Sequence, residues 1–580
     1  MRYASLLLLP IAFVGGVSAQ KAASPSVDTV YKEGVAAAQR RDLVAAQKAF
    51  EKVVRLRPGA PEGHNSLGWV LMSTGKLDPA IVHLQTAIKL KPDFLQAHIN
   101  LANALVSKGE SEAALHEART AVKIGPDDSE AHRTLGRALS FGKDLPGAIA
   151  ALQRASELEP TRAELRDELG ALLAQNSQLD EAAAEFAEAV RLHPAFASAS
   201  FHLGVVRWRQ HSLNEAQELL QNVVQQDAGH AMAHYYLGRV LGDLGRSDDA
   251  LRELRAAVDL QPGFIEAQAQ LGLALQRKGE AAEAVAVFRR VVRAQPDNPE
   301  AHNDLGLALI QVGDSPAAVG EFEAALRIQP NDSGYRGNLG IAYLQRADFD
   351  AAAREFREAL QATPDDATLH YNLGLALKLK DQLPAALAEF EKAAQLNPAQ
   401  ADIRYTTGVT LWQQGEFTRA AEELRAAIRI QPGYAEAHYK LGTVLKQQGN
   451  LKEAADELRE AIRLEPDFAG AHTTLAGVLR QLGDNDGAAR EARIGADMAK
   501  GANAMQAATF STNSGQRLLS TGDVEGAIAQ FRAAIQSRPD YAPAHYHLAL
   551  VLQGKGEKEE AAQEFQKAKE LDPNLQPPAR

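Results

Sequence analysis

Apolar and polar positions alternate along this chain in a pattern that returns every 34 residues. Residues 435–468 illustrate one copy. Leu441 and Leu445 are four residues apart, and His438 precedes Leu441 by three, so the three side chains share one face of a helix. Gly449 then predicts the end of this first helix.

A second helix follows in the same copy. Asn450 is a candidate N-cap for it, although other cap assignments are possible. Pro466 cannot continue this helix, and it biases Glu465 away from helical backbone angles. The buried stripe of the second helix is predicted at Ala454, Leu458 and Ala461.

The pattern fixes small residues at two points of each copy. The first point is a Gly or Ala in the first helix, such as Gly442. Alanine stands twelve residues after it in every copy. Proline stands 24 residues after it in all copies but two, which carry Ala228 and Lys500. We interpret the small residues as places where two helix backbones pass closely, because larger side chains would overpack there. One helical hairpin cannot bury both of its apolar faces, so successive copies must stack. The 16 copies carry, at the first point, Gly34, Gly68, Ala102, Gly136, Gly170, Gly204, Gly238, Gly272, Gly306, Gly340, Gly374, Gly408, Gly442, Ala476, Gly515 and Ala549.

The Leu-Gly pair, the alanine twelve residues later and the terminal proline resemble the tetratricopeptide repeat over residues 27–575. This resemblance implies an all-α fold, a right-handed α-solenoid superhelix of tandem helix-turn-helix repeats. It also implies binding of peptides or other proteins through the concave face. The chain departs from the usual pattern four residues before the glycine, where tryptophan is often found. Nine copies carry histidine there: His64, His98, His132, His234, His302, His370, His438, His472 and His545.

The first 19 residues have a signal-peptide pattern: a positive Arg2, an apolar run, and Val17-Ser18-Ala19 before a cleavage site. We therefore expect an exported protein, periplasmic or secreted, with an uncleaved N-terminal anchor as the alternative. No later segment is apolar enough to predict a membrane span. The predicted division is a signal peptide over 1–19, a leader over 20–26, repeats 1–14 over 27–502, an insertion over 503–507, repeats 15 and 16 over 508–575, and a disordered tail over 576–580.

Repeat 14 loses the pattern after Ala488. Its terminal proline is replaced by Lys500, Gly495 stands where alanine is usual, and five extra residues follow. We interpret this either as a second helix that runs long or frays, letting the last two copies pivot, or as a plain degenerate repeat.

Charge and motifs narrow the function classes. The net charge is −12 and no long Lys/Arg run occurs, so nucleic acid is not predicted as a partner. The absence of cysteine excludes disulfides, thiolate catalysis and cysteine metal sites. No phosphate-binding loop, zinc-protease motif or nucleophile elbow is present, and we predict no cofactor and no enzymatic activity.

Two features could suggest a metal site. Residues 484–487 resemble the start of a calcium loop, but Asp and Gly are also the residues expected in a turn between two helices. The aligned histidines are too far apart for one metal ion, so a half-buried niche between helices is predicted for them.

Candidate binding residues lie three before, one after and four after the glycine in the first helices, off the predicted core face. One patch is Phe201, Val205 and Trp208; the other is Tyr371, Leu375, Tyr405, Val409, Trp412 and Tyr439, edged by Lys378 and Lys446. Tyrosine at this position is also common packing in such repeats, and that alternative stays open.

These observations predict an exported, non-catalytic scaffold that binds proteins or peptides through its concave face. The alternative is an accessory subunit of an envelope glycan or polysaccharide assembly or export system, with the chemistry supplied by a partner enzyme.

Overall fold

The computed structural model describes residues 26–575, and all regular secondary structure in that range is α-helical. The predicted signal peptide, most of the leader and the tail lie outside the described residues. The chain divides into two compact units, Met1–Gln295 and Pro296–Arg580. The all-α fold of tandem helix pairs is therefore confirmed within each unit.

The first unit contains sixteen of the described helices. They are α1 (Val27–Gln39), α2 (Leu43–Leu56), α3 (Pro61–Ser73), α4 (Leu77–Leu90), α5 (Leu95–Lys108), α6 (Ser111–Ile124), α7 (Ser129–Phe141), α8 (Leu145–Leu158), α9 (Ala163–Gln175), α10 (Leu179–Leu192), α11 (Ala197–Arg209), α12 (Leu213–Gln226), α13 (Ala231–Asp243), α14 (Ser247–Leu260), α15 (Ile265–Lys278) and α16 (Ala281–Ala294).

The second unit contains the remaining fifteen described helices. They are α17 (Pro299–Gln311), α18 (Ser315–Ile328), α19 (Ser333–Gln345), α20 (Phe349–Ala362), α21 (Ala367–Leu379), α22 (Leu383–Leu396), α23 (Ala401–Gln413), α24 (Phe417–Ile430), α25 (Ala435–Gln447), α26 (Leu451–Leu464), α27 (Ala469–Gln481), α28 (Asn485–Ser520), α29 (Val524–Ser537), α30 (Ala542–Lys555) and α31 (Lys558–Leu571).

Each first helix packs against the second helix of its own copy, and within a unit each second helix packs against the first helix of the next copy. Neighbouring first helices also touch, for example α3 with α5 and α23 with α25. First helices therefore form one continuous layer in each unit. Side chains on the side of that layer away from the second helices are the ones available to a ligand.

The turn between the two helices of a copy follows the sequence prediction. α25 ends at Gln447, and Gly449 adopts a left-handed φ of 79° that lets the chain reverse. Asn450 occupies the N-cap position of α26, but its side chain makes no capping hydrogen bond. Asp484 does cap its helix, because its carboxylate accepts a hydrogen bond from the Gly487 amide at 2.8 Å. The 484–487 stretch thus serves as a helix start.

The small residues of the pattern are buried as predicted. The structure also shows which side chain packs against each repeat glycine, which the sequence analysis did not identify. The alanines twelve residues after the glycines are at most 3% exposed throughout. A β-carbon added at any of the repeat glycines would come within 2.5–3.0 Å of a Phe or Leu side chain sixteen residues later. At Gly442 the nearest atoms are Leu458 Cγ at 2.7 Å and the Ala454 carbonyl oxygen at 3.1 Å. The glycine therefore accommodates a large side chain of the second helix as well as its backbone.

The irregular region after Ala488 lies in one continuous helix. α28 has 36 residues and runs through Gly495 and the 503–507 stretch. Gly495 is buried against α27, where an added β-carbon would lie 2.7 Å from Thr473 Oγ1. The single helix thus joins the second helix of one copy to the first helix of the next.

Candidate functional site

All eleven predicted binding residues lie on first helices and are half-buried. Phe201, Val205 and Trp208 lie on α11 in the first unit. The others lie in the second unit, on α21, α23 and α25. The structure therefore places the first set on one first helix and the second set on three neighbouring first helices, with part of every side chain accessible.

Each tyrosine of the second patch uses part of its ring for packing. The ring centroids of Tyr405 and Tyr434 are 5.0 Å apart, and those of Tyr439 and Phe468 are 4.7 Å apart. In both pairs the partner is the residue that precedes the next first helix. Burial, reinforced by the charge of Glu436, raises the pKa of Tyr405, so its hydroxyl stays protonated. The tyrosines thus contribute to packing between copies and also to the accessible surface.

Hydrogen bonds between neighbouring first helices are a feature that the sequence reasoning missed. They join the residue three before the glycine to the residue two before the glycine of the next copy. The sequence did contain a signal for these hydrogen bonds, because the two polar side chains of each pair are 35 residues apart. The bonds join Tyr31 to Ser66, Asn65 to Asn100, Arg133 to Glu168, Asp167 to His202, Asn303 to Asn338, and Tyr371 to Thr406.

The patch in the first unit is larger than predicted. Phe201 and Trp208 both contact Tyr236, with centroids 5.8 and 5.6 Å apart. The Arg239 guanidinium lies 4.4 Å from the Trp208 ring centroid, and the indole Nε1 donates to Asp243 at 2.8 Å. Tyr236 and Arg239 come from the neighbouring first helix. Arg239 stands one residue after Gly238, a position that the sequence analysis assigned to the candidate surface, but its contact with Trp208 depends on packing between copies.

The patch in the second unit has a similar tryptophan. Trp412 Nε1 donates to Gln447 Oε1 at 2.5 Å, and Lys440 Nζ lies 4.3 Å from the Trp412 ring centroid. Burial, with a further contribution from the Lys440 charge, lowers the pKa of Lys378. Three first helices therefore bring a tryptophan and several cations together.

Seven of the nine aligned histidines bridge three segments, and six of the nine are buried rather than half-buried as predicted. His98 Nδ1 lies 2.6 Å from Glu117 Oε2 on the second helix, and Nε2 lies 2.9 Å from the Pro92 carbonyl oxygen of the preceding copy. Six further histidines make the same two contacts, with a glutamate of their own second helix and with a backbone carbonyl of the preceding copy. The histidine–glutamate pairs are His234–Glu253, His302–Glu321, His370–Glu389, His438–Glu457, His472–Glu491 and His545–Glu564. Arginine replaces the histidine, with the same carboxylate position, in Arg166–Glu185, Arg336–Glu355 and Arg404–Glu423. The histidines thus have a structural role.

Over residues 26–575 no three His, Asp or Glu side chains are grouped so that they could hold a metal ion. In the same range, none of the helices combines the length and apolar character that crossing a bilayer requires.

Solved structures that align with this chain at low similarity include the following two. The crystal structure of MamA matches at 24% identity and a TM-score of 0.28, covering 28% of this chain and 96% of that one. The APC/C hetero-tetramer Cut9-Hcn1 matches at 14% identity and a TM-score of 0.35, covering 91% of this chain and 96% of that one. A comparison with curated protein sequences finds no match.

Family models give the clearest comparison. Models described as tetratricopeptide repeat or TPR repeat match residues 31–93, 71–138, 168–216, 206–263, 270–333, 340–381, 367–400, 408–449, 435–468 and 512–575. These matches cover most of the chain and coincide with the helix pairs described above. The chain belongs to the tetratricopeptide repeat family.

Proposed function

We propose that this protein is an exported, non-catalytic scaffold that binds a protein or peptide on the first-helix layer of its second unit. The proposed site is the patch Tyr371, Leu375, Tyr405, Val409, Trp412 and Tyr439.

The observation that carries the proposal is a row of half-buried aromatic and aliphatic side chains on adjacent first helices, partly accessible to solvent. Tyr371, Tyr405 and Tyr439 hold one position in three successive copies. Packed helices are about 8–10 Å apart, and an extended peptide advances about 3.3 Å per residue. Every third side chain of such a peptide could therefore contact a ring.

A scaffold without catalysis is favoured by the surroundings of the most perturbed carboxyl. Burial raises the pKa of Asp304 to about 6. A shifted carboxyl can mark an active site. Here burial is the largest cause of the shift, the like charge of Glu300 adds to it, the hydrogen bond with Asn303 opposes it, and no nucleophile is among these groups.

Export is proposed from the pattern of residues 1–19, which lie outside the described range. Its test is N-terminal sequencing of the protein from the exported fraction, which should begin at Gln20. Recovery of residues 1–19 in the mature protein would favour the anchored form.

The binding proposal is tested by affinity capture from the exported fraction with wild type and a Tyr405→Ser/Trp412→Ser variant. We expect capture of the partner to weaken at least tenfold, because buried aromatic anchors contribute about 2 kcal/mol or more each. The matched control is Phe141→Ser/Phe510→Ser, which removes two rings that are 45% and 67% exposed elsewhere. Unchanged capture with a lowered thermal midpoint would assign the rings to packing alone. A partner that assembles or exports envelope glycans would favour the accessory-subunit alternative.

A further inference from the structure

We propose that four cations on the first helices of the second unit form a docking row for an extended acidic peptide segment. The cationic row consists of Lys378 on α21, Lys440 and Lys446 on α25, and Arg480 on α27. The inference rests on the proposed function, since it names the chemistry of the ligand at that site.

The row is a local departure from the repeat. Four residues after the repeat glycine, successive copies carry Lys378, Trp412, Lys446 and Arg480. The other copies have neither Lys nor Arg at this position: they carry Ala38, Met72, Val106, Ser140, Ala174, Trp208, Gly242, Gln276, Ile310, Leu344, Leu519 and Gln553. Cations near a helix C-terminus interact favourably with the helix dipole. That effect would act in every copy, so it does not explain their restriction to this segment.

The cations of the row have no carboxylate partner. Lysines that end a first helix are paired, as Lys108 at the end of α5 is with Asp78 and Lys278 at the end of α15 is with Asp248. Within residues 26–575, none of the four row cations makes an ion pair or a side-chain hydrogen bond to the protein. Lys378, Lys440 and Lys446 are nevertheless half-buried. Half-buried charges without partners are costly, and an anionic ligand would offset that cost.

Trp412 holds the central cation in place. Lys440 Nζ lies 4.3 Å from the Trp412 ring centroid and 5.7 Å from that of Tyr439. A cation–π contact of this kind positions the ammonium group without a hydrogen-bond acceptor. Its N–H donors therefore remain available to a ligand carboxylate. The charge of Lys440 contributes to the lowered pKa of Lys378, so the two ammonium groups are close enough to repel each other.

Within these first helices, the acids lie at the end away from the row. Asp402 and Glu436 stand in the first turns of α23 and α25, and Asp402 accepts a hydrogen bond from Tyr434. The later part of each first helix, over 371–379, 405–413, 439–447 and 473–481, contains no Asp or Glu. The row therefore has no carboxylate beside it on its own helices, although Asp381, Glu416 and Asp484 stand in the turns that follow and the whole chain carries a net charge of −12.

An acidic peptide fits this surface better than nucleic acid does. Apolar side chains that suit a peptide lie beside the row: Leu375 on α21 with Lys378, and Val409 and Trp412 on α23, the first helix between α21 and α25. The net charge of −12 repels both polyanions at long range, so the preference for a peptide rests on these apolar side chains. Given helix spacings of about 8–10 Å and about 3.3 Å per extended residue, carboxylates at every third residue would match the row.

The test is fluorescence anisotropy on the full chain with a labelled, end-blocked probe peptide that has Glu at every third position and Gly or Ser between. We expect saturable binding that weakens with salt and is lost for the peptide with Gln in place of Glu. Lys378→Gln/Lys440→Gln/Lys446→Gln/Arg480→Gln should weaken binding at least tenfold. The matched control, Arg289→Gln/Arg290→Gln/Arg293→Gln/Lys452→Gln, makes the same charge change at exposed second-helix positions and should bind as wild type does.

Three outcomes would overturn the proposal. One is equal affinity for the Glu and Gln peptides. Another is equal weakening by the two quadruple variants, which would indicate net charge alone. The third is tighter binding of an oligothymidylate or of polygalacturonate through the same four cations, which would assign the row to another polyanion. If the Glu peptide does not bind but partner capture still depends on Tyr405 and Trp412, the acidic ligand is wrong while the proposed function stands.

Discussion

The β-carbon that Gly306 lacks would lie 2.5 Å from Cε1 of Phe322, a ring that is fully buried on the second helix of the same copy. The same relationship joins each repeat glycine to a Phe or Leu sixteen residues later. Alanine replaces the glycine in three copies: the residue sixteen later is Ala118 after Ala102, Ala492 after Ala476 and Phe565 after Ala549. Size at the two positions is therefore complementary in every copy except the last.

Gly306→Ala should destabilise α17 and α18 by about 1–3 kcal/mol, because a methyl group has no room beside the Phe322 ring. In a Phe322→Ala background, itself destabilised by a cavity, the same change should cost less than about 0.5 kcal/mol. Opening free energies from hydrogen exchange on the full chain measure both. Equal costs in the two backgrounds would show that Phe322 is not what excludes the methyl group.

Much of the fold could be predicted because the repeat supplies many independent observations of the same buried positions. The alanines twelve residues after the glycine are the clearest example, since all are buried. The glycine's large partner was missed because Phe and Leu alternate at that position, as in Phe322 and Leu458. A search for one conserved-looking residue type at each repeat position does not detect that Phe and Leu are both large.

The candidate site was less predictable, because its contacts join different copies. Reading positions within one copy identified Trp412 but not Lys440, which lies on the next first helix and packs over the indole. Likewise, the hydrogen bond from Tyr371 to Thr406 depends on how neighbouring first helices are offset. Such offsets follow from packing geometry, which a single repeat does not encode.

Stability should be distributed along the chain rather than held in one cooperative core, because each copy contacts only its neighbours. Ala352, fully buried on α20, tests this. Ala352→Trp should remove hydrogen-exchange protection from α19 to α21 and leave α29 to α31 protected. Ala362→Trp, at an exposed position of the same helix, is the control and should change little. Loss of protection throughout the second unit would contradict this account.

The contribution of His98 to stability should fall as the pH rises. Burial disfavours the charged ring, but the Glu117 carboxylate and the Pro92 carbonyl outweigh it and raise the pKa of His98 above its ordinary value. The added stability is then complete below the unfolded-state pKa of about 6.5 and is lost as the pH rises through the folded-state pKa. Exchange of α5 and α6, corrected for the intrinsic effect of pH, measures this loss.

His98→Gln is the matched variant for that experiment. Gln268 occupies the equivalent position in another copy and donates to the Pro262 carbonyl, so the substitution should keep the helices folded. It should also flatten the pH profile of α5 and α6. An unchanged profile would mean that another group titrates there.

The turn before α20 offers a stabilising substitution. Ala347 has a φ of 58°, a left-handed conformation in which ten copies have glycine and five others have Arg41, Lys143, Ser177, His211 or Asp381. Ala347→Gly should raise the local stability by about 0.5–1 kcal/mol, because relief of about 1–2 kcal/mol of strain exceeds the entropic cost of glycine. The reverse change, Gly449→Ala, should lower the stability of its own turn. A loss of stability in Ala347→Gly would show that the strain is already relieved by the surrounding contacts.

The central claim, that a partner binds on the first-helix layer around Tyr405 and Trp412, is tested most directly by site-specific photo-cross-linking. A photoreactive residue at Val409, half-buried in the patch, is compared with one at Thr418, exposed on the second helix of the same copy. With the exported fraction added, we predict a discrete cross-linked species from position 409 and none from position 418. Equal cross-linking at the two positions, or cross-linking from 418 alone, would contradict the account.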